Sequence, residues 1–140
     1  MNGRVILDTG PLVALLNTRD KYHKWSVEKV RNLATPMFTC EAVITEAIFL
    51  LGHTSAGISK VVKVLEKEDV RITQSLALKP ERKRVCEILM TYSNLPASLA
   101  DACLVRMSEN HPKRKVFTLD SHFHIYRRND TEPIPLLIPN

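Results

Sequence analysis

At 140 residues, 44% hydrophobic and 25% charged, the chain has the balance of one globular domain. That length is enough to bury roughly 68–70% of the unfolded surface in one core and too little for two. No apolar stretch approaches the roughly 20 residues that cross a bilayer, which excludes a transmembrane helix. The opening Met1-Asn2-Gly3-Arg4 shows none of the charged, apolar and small-residue regions of a secretory signal, so a cytoplasmic location is expected. The net charge of +5 favours a polyanionic partner, with short basic clusters at Arg82-Lys83-Arg84, Lys113-Arg114-Lys115 and Arg127-Arg128. Three widely spaced cysteines, Cys40, Cys86 and Cys103, contain no CxxC pair and read as buried reduced thiols rather than a disulfide framework or zinc site.

In chain order, Val5-Ile6-Leu7 is a β-branched apolar run that ends in Asp8-Thr9-Gly10, and Pro11 starts a short helix in the favourable first turn. A helix follows from Tyr22 to Ala34, with Asp20 near its start, then a strand from Met37 to Thr39 and a helix from Glu41 to Leu51 closed by Gly52. Ile58, Val61, Val62 and Leu65 form the inner stripe of a helix from Ile58 to Lys67, and Val70 to Thr73 reads as the third strand. Helices are expected from Arg82 to Tyr92 and from Ser98 to Asn110. The fourth strand runs Val116-Phe117-Thr118-Leu119 to Asp120, and Pro135 to Ile138 is a short edge strand. Strands alternating with helices imply an α/β fold, one domain over residues 1–140, with a central, mainly parallel sheet of about five short strands flanked by helices.

Asp8 and Asp120 thus fall at strand carboxyl ends, where parallel α/β sheets bind ligands. Paired carboxylates there suit a hard divalent cation and, through it, phosphate chemistry. Two further acids lie on helices. Glu46 stands among apolar neighbours in Ala42 to Leu51, which calls for a cation, a cleft or one exposed stripe. Asp101 follows Ser98 at capping-box spacing, so on its own it reads as structural.

The segments Leu7-Asp8-Thr9-Gly10-Pro11-Leu12, Thr45-Glu46-Ala47, Leu99-Ala100-Asp101-Ala102 and Thr118-Leu119-Asp120, taken in order, resemble the PIN domain of metal-dependent ribonucleases and VapC-type toxins. The resemblance spans essentially the whole chain. It implies Asp8, Glu46 and Asp101 as principal metal ligands, Asp120 as a fourth acid that positions metal-bound water, and Mg2+ or Mn2+ as cofactor. It also implies an RNA substrate, a small antitoxin partner and a homodimer. Thr9, Thr118 and Ser121 place hydroxyls beside the acids; Thr118 shares a strand face with Asp120 if the strand runs that far. Where many relatives carry a further acid two positions after the fourth, this chain has His122, which weakens a second metal site. Asp20 and His23 read as a helix start, His122 and His124 as surface residues, and Trp25, Phe49, Phe123 and Tyr126 as core or subunit contacts.

Two other readings compete. A haloacid-dehalogenase-like phosphatase also opens with a strand-end aspartate, but it needs a second Asp where this chain has Gly10. A non-catalytic PIN-like module that binds RNA or protein would not require all four acids.

Overall fold

The computed structural model describes residues 3–54, 56–67 and 71–140. Its elements are β1 (Val5–Leu7), α1 (Thr9–Leu16), α2 (His23–Arg31), β2 (Met37–Cys40), α3 (Glu41–Leu51), α4 (Gly57–Glu66), β3 (Ile72–Leu76), α5 (Leu78–Thr91), α6 (Leu99–Asn110), β4 (Lys115–Phe117), β5 (Arg127–Arg128), β6 (Glu132–Pro133) and β7 (Leu136–Leu137). A 3₁₀ turn, Ser121–His124, follows β4. Among the described residues no helix is long and apolar enough to cross a membrane.

Five parallel strands form one sheet in the order β3-β2-β1-β4-β7. From β1 the chain adds β2 and β3 on one side, then crosses to lay β4 and β7 on the other. The order therefore reverses between β1 and β4, and beyond the carboxyl ends at such a reversal parallel α/β sheets bind their ligands. The register Ile6↔Val116 sets these ends side by side, and the Asp8 amide donates to the Phe117 carbonyl at 3.0 Å. Val5, Ile6 and Leu7 are all buried, as helices on both faces of a parallel sheet require. Gly10, in the first turn of α1, has a packing reason: a Cβ there would lie 3.1 Å from the Leu119 side chain. The two acid-bearing turns are that close.

The expected strands and helices are present, with shifted ends. α5 begins four residues before the expected Arg82, because Pro80 falls in its first turn, where proline is tolerated. β3 lies later than expected, and Val70 is outside the described residues. β4 stops at Phe117, for a reason seen at the site. In α4 only part of the expected inner stripe is inward: Val61 is buried, whereas Ile58 and Val62 face solvent. The β5–β6 hairpin was not anticipated. Its turn places Asn129 and Asp130 at φ of 49° and 65°, left-handed values that these two residue types tolerate.

An ion network joins α5, α6 and this hairpin. Arg84 binds Glu109 through Nε and Nη2 at 3.0 and 2.7 Å, Arg106 reaches it at 3.2 Å and Glu81 through Nε, and the Asn129 amide donates to it at 2.7 Å. Burial would raise the Glu109 carboxyl, but these partners together hold it below the usual carboxylate range. Glu109→Gln should therefore cost about 3 kcal/mol in urea denaturation, because two cations lose a buried counter-charge. Arg82→Ala, on the exposed face of α5, should change stability by less than about 0.5 kcal/mol. Equal effects of the two substitutions would mean that the network does not anchor α6.

Candidate metal centre

Asp8 caps α1: its Oδ1 accepts the Thr9 amide at 2.7 Å and its Oδ2 accepts the Thr118 hydroxyl at 2.6 Å. Thr118 in turn accepts the Asp120 amide through the same Oγ1 at 2.9 Å. This hydroxyl-to-amide turn replaces the expected strand alternation. Although the Thr118 amide still donates to the Leu137 carbonyl, its side chain pulls the next residues out of the ladder. Asp120 Oδ1 then caps the 3₁₀ turn by accepting the His122 amide at 2.9 Å. Thr9 extends the chain of bonds in the other direction, its hydroxyl donating to Glu46 Oε2 at 2.9 Å. Glu46 is half-buried on α3, so the cleft reading describes it better than an exposed stripe.

Asp101 sits in a capping box: Ser98 Oγ accepts its amide and its Oδ2 accepts the Ser98 amide, both at 3.0 Å. The structural role foreseen for Asp101 is thus present. A second donor reaches the same Oδ2, the hydroxyl of the fully buried Tyr126 at 3.2 Å. Tyr126 is edge-on to Tyr92 and Phe123, each with ring centroids 5.0 Å away, so its ring is core packing while its hydroxyl serves the acid edge. Sequence reasoning took only the first half. Twenty-five residues separate Tyr126 from Asp101, and no local pattern announces the bond.

Electrostatics draw three acids into one site. Burial pushes the Asp8 carboxyl from 3.8 up to about 7, the Thr118 and Thr9 bonds pull it back in part, and the charges of Asp101 and Asp120 push it up again. Tyr126 is raised too, first by burial and then by the charges of Asp101, Asp120 and Asp8. Among the described residues no Lys or Arg forms an ion pair with any of the four acids. His122 Nδ1 lies 3.6 Å from Asp120.

The donors are all oxygen, and the buried Asp8 lacks a counter-charge, which fits a hard divalent cation. Among the described residues no three His, Cys, Asp or Glu side chains stand close enough to ligate one ion together. An all-oxygen donor set is the kind that Mg2+ or Mn2+ takes, held by one or two carboxylates and retained water.

The sequence profile of the PIN domain matches residues 5–129. The chain belongs to the PIN-domain family. Among solved structures, this PIN domain is similar to the Mycobacterium tuberculosis toxin VapC20, described as cleaving the sarcin-ricin loop. The TM-score is 0.75 at 18% identity, over 92% of this chain and 99% of that one. At that identity the likeness concerns the fold. A search of curated proteins gives no match.

Other candidates of this PIN domain lie elsewhere. Ser121 is exposed at the start of the 3₁₀ turn, outside the chain of bonds. Asp20 Oδ1 accepts the Tyr22 amide at 2.8 Å, and His23 Nδ1 donates to the Ala14 carbonyl at 2.7 Å, so both residues shape the start of α2 and dock it on α1. The basic clusters have other places in the fold. Lys113-Arg114-Lys115 lies at the amino end of β4, the opposite edge of the sheet, with Arg114 stacked 3.8 Å over Phe38. Arg84 belongs to the Glu109 network, and Arg127 and Arg128 donate to the carbonyls of His124 and Pro112.

Asp8 gives a signed prediction for the metal-free protein. Its folded pKa lies above its unfolded value, so between about pH 4 and pH 7 the folded state holds the extra proton and stability falls as pH rises. The change attributable to Asp8 is on the order of 4 kcal/mol and levels off above about pH 7. Urea titrations from pH 4.5 to 8 should show this slope in the wild type and a flatter one in Asp8→Asn. Identical slopes would remove Asp8 as its source. Tyr126→Phe keeps the ring and deletes one buried bond to a carboxylate, so it should cost about 1.5–3 kcal/mol. A double-mutant cycle with Asp101→Ala, which leaves no acceptor, should recover most of that cost as coupling; no coupling would mean that the bond is not made in solution.

Proposed function

We propose that this single PIN domain is a divalent-metal-dependent endoribonuclease, the toxin of a toxin–antitoxin module. The observation that carries the reading is the gathering of Asp8, Asp101 and Asp120 at the β1/β4 switch point, with Glu46 tied in through Thr9. Asp8, Glu46 and Asp101 would hold Mg2+ or Mn2+, directly or through water. When bound, the cation would supply charge neutralisation at phosphate and an activated water for hydrolysis of a phosphodiester. The chain's own part is positioning. Thr118 fixes the Asp8 carboxylate and the Asp120 backbone, Thr9 fixes Glu46, and Ser98 and Tyr126 fix Asp101. Asp120, at the half-exposed rim, is placed to orient water.

A protein partner is supported by apolar surface. Phe49 is 74% exposed on α3, with Ile48 and Leu50 beside it and Ile58 and Val62 exposed on α4. Scattered apolar residues need no explanation, but one as large and open as Phe49, with further exposed apolar residues on the helix packed against α3, suits an antitoxin or a second subunit. The description of VapC20 makes the sarcin-ricin loop a substrate to test.

Purified protein should cleave RNA with Mg2+ or Mn2+ and stop on chelation. Asp8→Asn, Glu46→Gln and Asp101→Asn should each lower the rate by at least about 100-fold while the protein stays folded. Metal should also raise Tm by several degrees, with a smaller response below about pH 7 as the Asp8 proton competes. Sodium chloride at matched ionic strength should not reproduce the saturable rise. RNA binding without metal-dependent turnover would favour a non-catalytic module.

A further inference from the structure

The edge of the sheet opposite the acids is basic. Arg4 stands directly before β1 and Arg114 directly before β4, and the register Val5↔Lys115 sets the two opposite each other on neighbouring strands. Both guanidinium groups reach the start of β2: Arg4 Nε donates to the Thr35 carbonyl at 3.2 Å, and Arg114 lies 3.8 Å over the Phe38 ring. Lys113 and Lys115 flank Arg114 and are exposed. Arg84, Arg106 and Arg128 each pair with an acid, but among the described residues Arg4, Lys113, Arg114 and Lys115 pair with none. We propose that these four residues form a second contact for RNA, which holds backbone phosphates at the amino edge of the sheet.

A merely solvated basic face lets its side chains spread apart, which keeps like charges distant. Here two arginine heads are fixed. Stacking on Phe38 holds one and the Thr35 carbonyl holds the other, so little side-chain freedom remains to be lost on binding. The arrangement carries repulsion: burial lowers the Arg114 guanidinium and the charge of Arg4 lowers it further, while burial and then the charge of Arg114 lower His111. A bound anion offsets it. The Arg114 fork makes no hydrogen bond to the protein among the described residues and matches two oxygens of a phosphate, and Arg4 keeps both terminal nitrogens for another. Choosing RNA among polyanions rests on the ribonuclease reading. The basic and acid edges lie about 13 Å apart along β1, the rise of a strand from Arg4 to Asp8, so one folded RNA is large enough to touch both.

The test is fluorescence anisotropy of a labelled RNA hairpin of about 30 nucleotides with the full chain, in EDTA so that the RNA stays whole, across a sodium chloride series. Arg4→Gln with Arg114→Gln should weaken binding by at least about 10-fold and flatten the log–log salt slope by about 1.4–1.8, the share of two phosphate contacts. Lys113→Gln with Lys115→Gln changes only exposed side chains and should act in the same direction, which keeps the test valid if the arginine variants unfold. Arg114→Lys keeps the charge without the fork and should fall in between. Arg82→Gln with Lys83→Gln removes equal charge from the exposed face of α5 and should stay close to wild type; equal losses there would make the effect one of net charge and overturn the proposal. Circular dichroism checks that each variant is folded. With Mg2+, the basic-edge variants should raise KM for the hairpin about 10-fold and leave kcat unchanged. Absence of salt-dependent RNA binding by the wild type in EDTA, or tighter binding to phosphatidylglycerol vesicles than to RNA, would also overturn it. The salt series needs no turnover, so an inactive protein can pass it and an active nuclease can fail it.

Discussion

Carboxylates held together at the end of a sheet repel one another, and the architecture around them offsets that repulsion without a single Lys or Arg partner among the described residues. Three of the four acids sit where helical backbone leaves amides unpaired. Asp8 caps α1, Asp120 caps the 3₁₀ turn, and Asp101 closes the capping box of α6. Each therefore meets amide donors, and α1 and α6 add the positive ends of their dipoles. Hydroxyls from Thr118, Thr9 and Tyr126 supply the remaining donors. The compensation is partial, as the raised Asp8 carboxyl shows. A cation would complete it.

That constraint also explains the local rules the structure breaks. A buried Asp immediately after an all-apolar strand is costly unless its oxygens are satisfied, and Thr118 ends β4 early to satisfy one of them. Gly10 is small because the turn carrying Asp8 passes against Leu119. The same glycine that weighs against a phosphatase nucleophile motif thus has a packing role.

Much of this was legible in sequence because it is local. The expected bounds of Glu41 to Leu51 match α3, the Ser98–Asp101 spacing announced a capping box that is present, and Pro135 to Ile138 did contain an edge strand. Strand-end position alone brought out Asp8 and Asp120. What escaped was long-range or small. The Tyr126 hydroxyl and the Thr9 bridge to Glu46 join segments that no periodicity links. The β5–β6 hairpin has two-residue strands, too short for an alternation signal, although Asn129-Asp130 was a usable turn cue. The places of the basic clusters were not legible either, because residues at the two ends of a strand face opposite edges of the sheet and because Arg84 and Arg128 take internal partners.

The pairing of β1 with β4 has a consequence for how the protein is made. The bond from Thr118 to Asp8 closes a separation of 110 residues, and Tyr126 lies further along still. Contacts of such range form only after long loops have closed, and a chain emerging from the ribosome lacks one side of the acid edge until β4 has been synthesised. A truncated translation product ending before β4 would carry Asp8, Glu46 and Asp101 but no strand to set Asp8 in place. The acid edge would come into being only once that strand is in place.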